Sequence, residues 1–207
     1  MLKAGAGIRN AFIENRQHGA RAARVLRPWN SRYATLSHRW EQDELSYQDL
    51  QAQRNRDGAG FTKVQKSCKK ASTDGYEWLW VDTCCIDKSS SAELSDAINS
   101  MFRWYQDAQV CYAYLSDVPT GCTTDSHHEG QSPFRRSQWF TRGWTLQELI
   151  APSSVIFLDQ AWTEIGTRHS LEHLISSITG IENLNEVDES VRGQTSNSSK
   201  VWFKYNY

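Results

Sequence analysis

An α/β fold on a mainly parallel sheet follows from three observations. Short, nearly continuous apolar runs at Trp78–Val81, Val110–Leu115 and Val155–Leu158 have the length and composition of strands buried on both faces. Stretches of helical periodicity separate them, above all Leu94, Ile98, Met101, Phe102, Tyr105 and Ala108. Strand–helix alternation of this kind implies parallel strands joined by right-handed crossovers.

The elements follow in chain order. Residues 1–30 form a basic extension, with Lys3, Arg9, Arg16, Arg21, Arg24 and Arg27 facing only Glu14. An Arg-rich, acid-poor start also fits a mitochondrial transit peptide, but that signature is loose, and a solvated, partly helical extension is the reading adopted. Tyr33–His38 is a short strand with a polar end. Residues 61–74 carry Phe61, Val64, Cys68 and Ala71 at helical spacing, stopped by Asp74-Gly75. The strand Trp78–Asp82 runs into the polar Thr83–Asp87. Ser90-Ser91-Ala92-Glu93 reads as a capping box opening the clearest helix. Residues 119–133, rich in Gly, Ser, Thr, Asp and His, read as a surface loop. A short helix spans about 145–150 before Pro152, a last strand spans 155–158, and a helix covers 171–178. Residues 31–182 are thus one domain, and 183–207 a polar tail.

Composition narrows the function classes. The 207 residues include nine tryptophans, eight tyrosines and seven phenylalanines, enough to build a large aromatic core. The net charge of -1, with both signs interspersed, gives no field for nucleic acid. No apolar run reaches the roughly 18 residues of a membrane span. Five cysteines, two of them adjacent, make a poor disulfide framework and point to a reducing, cytoplasmic setting.

In an open α/β sheet, ligands lie beyond the carboxyl ends of the strands. Ser37, His38 and Arg39 end the first strand, Asp82, Cys84, Cys85 and Asp87 the second, and Ser116 and Asp117 the third. Asp82 and Asp87 are read chiefly as loop caps or as ion-pair partners of Arg39 or Arg142, and Glu93 as the capping partner of Ser90. Cys84 or Cys85 as a nucleophile needs a neighbouring base such as His38. Cys122 with His127 and His128 lacks a recognised zinc spacing, so no metal is expected. Trp40, Trp80 and Trp104 are expected in the core.

The most informative stretch is Trp139-Phe140-Thr141-Arg142-Gly143-Trp144-Thr145-Leu146-Gln147-Glu148-Leu149. Thr145 and Glu148 have capping-box spacing. The carboxylate at 148 is therefore either a structural cap or a catalytic group at the rim of the sheet.

Three blocks resemble the fungal heterokaryon incompatibility (HET) domain: Tyr33–Trp40, Trp80–Leu94 continuing to Ala108, and Trp139–Pro152. The resemblance implies a cytoplasmic module of non-self recognition and cell-death signalling, acting through self-association and protein partners. Glu41 stands where the family usually carries glycine. Leu36-Ser37-His38-Arg39 and Trp144-Thr145-Leu146-Gln147-Glu148-Leu149 are also similar to motifs of the Toll/interleukin-1 receptor (TIR) domain, which implies a flavodoxin-like sheet. That second resemblance implies an alternative function, cleavage of NAD as substrate. Glu148 would be catalytic, and Ser37, His38, Arg39, Asp82 and Trp144 would bind the nucleotide.

Overall fold

The computed structural model describes residues 12–14, 21–23, 32–122 and 132–181. The fold is α/β, with a mostly parallel sheet flanked by helices. The chain divides into two compact units. Unit 1 comprises residues up to Ala34 and Trp40–Met101; unit 2 comprises Thr35–Arg39 and Phe102 onward.

Unit 1 contains β1 (Phe12–Glu14), β2 (Arg21–Ala23), the first residues of β3 (Tyr33–His38), α1 (Tyr47–Ala52), α2 (Ala59–Thr73), β4 (Trp78–Val81) and most of α3 (Ser91–Gln106). Its strand order is β2-β1-β4, then the start of β3. Strand β1 is antiparallel to both neighbours. The expected solvated extension thus holds two short strands, and Ile13 is fully buried. All four residues of β4 are buried, as its unbroken apolar run requires.

Helix α2 begins at Gly58, whose own residue supplies no side-chain cap. Asp43 does so from the preceding loop: its Oδ2 accepts from the Ala59 amide at 2.7 Å. Two glycines make that approach feasible. A Cβ on Gly58 would lie 2.5 Å from Asp43 Oδ2, and one on Gly60 2.2 Å from the Asp43 carbonyl oxygen. Lys63 and Glu44 form a largely buried ion pair against the same loop. In α3, the Glu93 amide donates to Ser90 Oγ at 3.3 Å, but the Glu93 carboxylate accepts from the Asp87 amide rather than closing the box on Ser90. The buried stripe of α3 includes Ala97, Met101 and Tyr105, whereas Ile98 is 45% exposed, against expectation.

Unit 2 contains the rest of β3, then β5 (Val110–Tyr114), a 3-10 turn (Gln138–Thr141), α4 (Thr145–Ile150), β6 (Val155–Leu158), β7 (Glu164–Thr167) and α5 (Glu172–Thr179). Its strands lie in the order β3-β5-β6-β7. β5 and β6 are parallel, with Cys111 opposite Val155 and Tyr114 opposite Leu158. β7 returns antiparallel to β6. The core of this unit is aromatic: Phe134, Trp139, Phe140 and Phe157 meet with centroids 5.0–6.2 Å apart. Arg168, at the end of β7, is buried and donates to the carbonyls of Leu149 at 2.8 Å, Ile150 at 3.3 Å, Pro152 at 3.0 Å and Ser153 at 3.4 Å. One guanidinium thereby satisfies the carbonyls at the C-terminal end of α4.

Candidate functional site

The residues that sequence patterning placed at strand ends fall into two clusters, one in each unit. In unit 2, Glu148 is the central group, with 2% of its surface exposed. It does not cap its helix. Trp144 occupies the N-cap position and its side chain does not cap the helix. The Thr145 hydroxyl instead donates to the Trp139 carbonyl at 2.7 Å. The capping box expected from Thr145 and Glu148 is absent because the carbonyl of the preceding 3-10 turn takes the threonine.

The Glu148 carboxylate is held from two sides. Ser37 Oγ donates to Glu148 Oε2. Arg142 Nη1 approaches the same oxygen at 3.4 Å, and 18% of its side chain remains accessible. Ser37 Oγ in turn accepts from Trp139 Nε1 at 2.8 Å. One serine oxygen therefore links a buried indole donor to a buried carboxylate. The aromatic cluster around Trp139 fixes that indole, so the Ser37 hydroxyl has one orientation that satisfies both neighbours. β3 delivers Ser37 and α4 delivers Glu148.

Of the other expected ligand-binding residues in unit 2, His38 is buried and Arg39 exposed. Trp144, 39% exposed, lies at the start of α4. Near the end of β5, Asp117 accepts from Ser137 Oγ and from the Gln138 amide, both at 2.7 Å. It is a loop anchor that positions the 3-10 turn carrying Trp139.

In unit 1, Asp82 takes a partner the sequence did not reveal. Its Oδ2 accepts from Trp40 Nε1 at 2.8 Å. Trp40 is not a core residue: half its surface is exposed, and Lys88 Nζ lies 3.6 Å from its ring centroid. Burial holds the Lys88 ammonium below the ordinary lysine range, with Asp82 acting in the opposite direction. Asp87 accepts from Ser89 and from Gln48, fixing its own turn. Glu41 does not adopt the left-handed backbone that would have required glycine.

All five cysteines are free thiols. A hydrogen bond with Cys85, together with burial, pushes the Cys84 thiol well above its usual range. The Cys85 sulfur accepts from the Val81 amide at 3.3 Å. A protonated, buried thiol is a poor nucleophile, so Cys84 packs rather than reacts. His127 and His128 lie outside the described residues. Among the described residues, no group of His, Cys, Asp and Glu has the geometry of a metal site, and no helix is long and apolar enough to cross a membrane.

Arg168, Trp139 and Lys88 are the residues that sequence reading underestimated. Trp139 was visible within the most informative stretch, but its bond to Ser37 spans 102 positions and left no local trace.

Comparison with known proteins supplies the remaining context. The family model described as "Heterokaryon incompatibility protein (HET)" matches residues 33–124. That span runs from the first residue of β3 past the end of β5 and stops short of Glu148. The chain is also 51% identical, over 152 residues, to the vegetative incompatibility protein HET-E-1 of Podospora anserina. The alignment covers 72% of this chain and 11% of that relative. No solved structure matches. With these two matches, the chain belongs to the heterokaryon incompatibility (HET) family.

Proposed function

We propose that this chain is an incompatibility-type signalling module, a cell-death effector that works through self-association and protein partners in the cytoplasm. The observation that carries this reading is the 51% identity over 152 residues to a vegetative incompatibility protein. Five free thiols suit a reducing compartment. Exposed Trp40 and Trp144 are the large aromatic surfaces on which protein interfaces commonly draw. The test is expression of the chain in a fungal host, combined with sedimentation of purified protein across a concentration series. Loss of viability together with concentration-dependent assembly is expected. A monomer at every concentration with no effect on viability would refute the reading.

The environment of Glu148 favours a second reading, NAD cleavage. Glu148 is freed from helix capping and presents a carboxylate braced by Ser37 and Arg142. Breaking the nicotinamide–ribose bond sends its electron pair to the nicotinamide nitrogen and leaves an oxocarbenium-like ribose. Water then adds at that carbon and loses a proton. A carboxylate beside the ribose stabilises the developing positive charge. Nicotinamide leaves as a neutral molecule, so no strong acid is needed. Arg39, His38 and Trp144, in the same unit as Glu148, are the nucleotide-binding residues of this reading. Nicotinamide release from NAD, measured on concentrated protein, tests it. Release that persists unchanged in Glu148→Gln would remove Glu148 from the chemistry.

A further inference from the structure

Helix α3 carries more apolar surface than its own fold buries. Ala97, Met101 and Tyr105 recur every fourth residue and are buried. A second stripe, Leu94, Ile98 and Phe102, recurs at the same spacing beside the first. Leu94 and Phe102 are half-buried, and Ile98 is 45% exposed. Both stripes lie on one uninterrupted helix, Ser91–Gln106, so their placement follows from helical spacing alone. Beyond the second stripe the rim is polar and exposed: Ser95, Asp96, Asn99 and Arg103. A single exposed isoleucine is ordinary on a protein surface. One that is centred between two half-covered apolar neighbours, beside a polar rim, has the layout of a small helix interface.

The charges on that rim select the occupant. Asp96 and Arg103 stand seven positions apart, close to two helical turns, so they share one side of the stripe. A second copy of α3, laid antiparallel across a two-fold axis, brings together residues whose numbers have a constant sum. With the axis midway between Asp96 and Arg103, each copy's Asp96 faces the partner's Arg103. The same operation sets Ile98 against the partner's Phe102, within one residue of the same register. One symmetry element therefore satisfies both the charged and the apolar sets. Within its own chain Arg103 has an exposed ion pair with Asp107 at 3.7 Å, a contact of small worth that leaves the guanidinium in water. We propose that the half-covered face of α3 is a self-association surface, on which two copies of this chain pair antiparallel about a two-fold axis between Asn99 and Ser100. This rests on the self-association half of the proposed function and names the surface for it. A helix of 16 residues is about 24 Å long, and a helix-on-helix strip about 10 Å wide. That is small beside the roughly 1,200–2,000 Å² of a stable interface. The pairing is weak and reversible, and it responds to local concentration.

Sedimentation velocity of the full chain across a concentration series tests the surface, with wild type, Ile98→Asp, Asp96→Arg, Arg103→Asp and an equal mixture of the last two. All three positions are exposed, so far-UV circular dichroism and the urea midpoint should match wild type in every variant. Ile98→Asp sets a carboxylate against the partner's Phe102 and should weaken association by about tenfold or more. Each charge reversal alone places like charges opposite each other twice per dimer, and should weaken association about three- to tenfold. The equal mixture should associate at least as tightly as wild type. One chain then brings two cations and the other two carboxylates, and both contacts across the axis become attractive. A mixture no tighter than either variant alone overturns the antiparallel pairing. Wild type that assembles while Ile98→Asp assembles equally well overturns the α3 surface and leaves self-association standing on another face. Wild type that stays monomeric at every concentration overturns this surface together with the self-association half of the reading. Viability of the expressing host then tests the death-effector half separately.

Discussion

Replacing Ser37 with alanine should be among the most damaging single-atom deletions in unit 2. The hydroxyl does two things at once: it accepts from Trp139 Nε1 at 2.8 Å and donates to Glu148 Oε2. Both neighbours are buried, so neither recovers a partner from solvent. An orphaned buried donor costs about 1–3 kcal/mol. The indole loses its acceptor, while Glu148 loses one bond and keeps Arg142, so the expected loss is about 2–3 kcal/mol. The void left by one oxygen is a minor addition. Trp139→Phe isolates the first half. It removes the indole donor while leaving Ser37 on Glu148, so beyond its packing change it should lose about 1–2 kcal/mol of hydrogen bonding. Urea unfolding followed by far-UV circular dichroism gives the comparison, with equal slopes as the check on two-state behaviour. A Ser37→Ala protein within 0.5 kcal/mol of wild type would refute the reasoning, because it would mean that water or a rearranged Trp139 replaces the serine.

Three further outcomes follow from the packing. Gly60→Ala forces a Cβ against the backbone of Asp43, Leu45 and Glu44 at 2.2–2.9 Å, so urea unfolding should show a loss of about 2–3 kcal/mol or more, near the upper range for overpacking. Arg168→Ala strips the carbonyls of Leu149, Ile150, Pro152 and Ser153 of a shared donor and should cost about 3 kcal/mol in the same assay. Arg168→Lys should recover only part, because a single ammonium does not reproduce the spread of the fork. The hydrogen bond from Asn55, then that from the Ala59 amide, holds the Asp43 carboxyl below its ordinary value of 3.8. A depressed folded value means stabilisation that is complete above the ordinary carboxyl range and lost as pH falls toward the folded value. Stability of wild type should therefore decline below about pH 4, and Asp43→Asn should show a shallower acid limb in thermal unfolding at pH 2–5.

The sequence made the regular elements readable where burial is two-sided or the helical stripe is long. β4, β5 and β6 are continuous apolar runs, and α4 occupies the 145–150 window that its Thr-to-Pro punctuation indicated. Short or half-buried elements left no such mark. α1 has six residues with one buried side chain, Leu50, and is announced only by Ser46, which caps it through the Asp49 amide. β7 reads Glu-Ile-Gly-Thr and lies at the edge of its sheet, without alternation to betray it. The failure of the Thr145–Glu148 capping box has a physical origin of the same kind. Capping-box spacing is a local preference worth about 1 kcal/mol. It is overridden when the nearby Trp139 carbonyl takes the threonine and the distant Ser37 takes the glutamate. The Trp40–Asp82 bond spans 42 positions and is equally invisible to local pattern.

Glu148 poses a question of cost that bears on function. A carboxylate this deeply buried gives up hydration, and its partners include the Ser37 hydroxyl and the Arg142 guanidinium. Well-packed apolar groups generally stabilise such positions as well or better. The residue is therefore an inefficient choice if it serves only to hold α4, which Arg168 and the Thr145 hydroxyl already secure. Glu148→Gln decides between the roles. The amide oxygen can still accept from Ser37, and the ion that had to be desolvated is gone. If the carboxylate is kept for its activity, the variant should match or exceed wild-type stability in urea while losing its effect on viability or its release of nicotinamide. If the carboxylate is structural, stability should fall by about 2 kcal/mol or more with the loss of the charged pair, and any functional loss should track the unfolded fraction. A variant that is both as stable and as active as wild type would exclude both roles, leaving Ser37 and Trp139 as a packing motif that merely tolerates an acid.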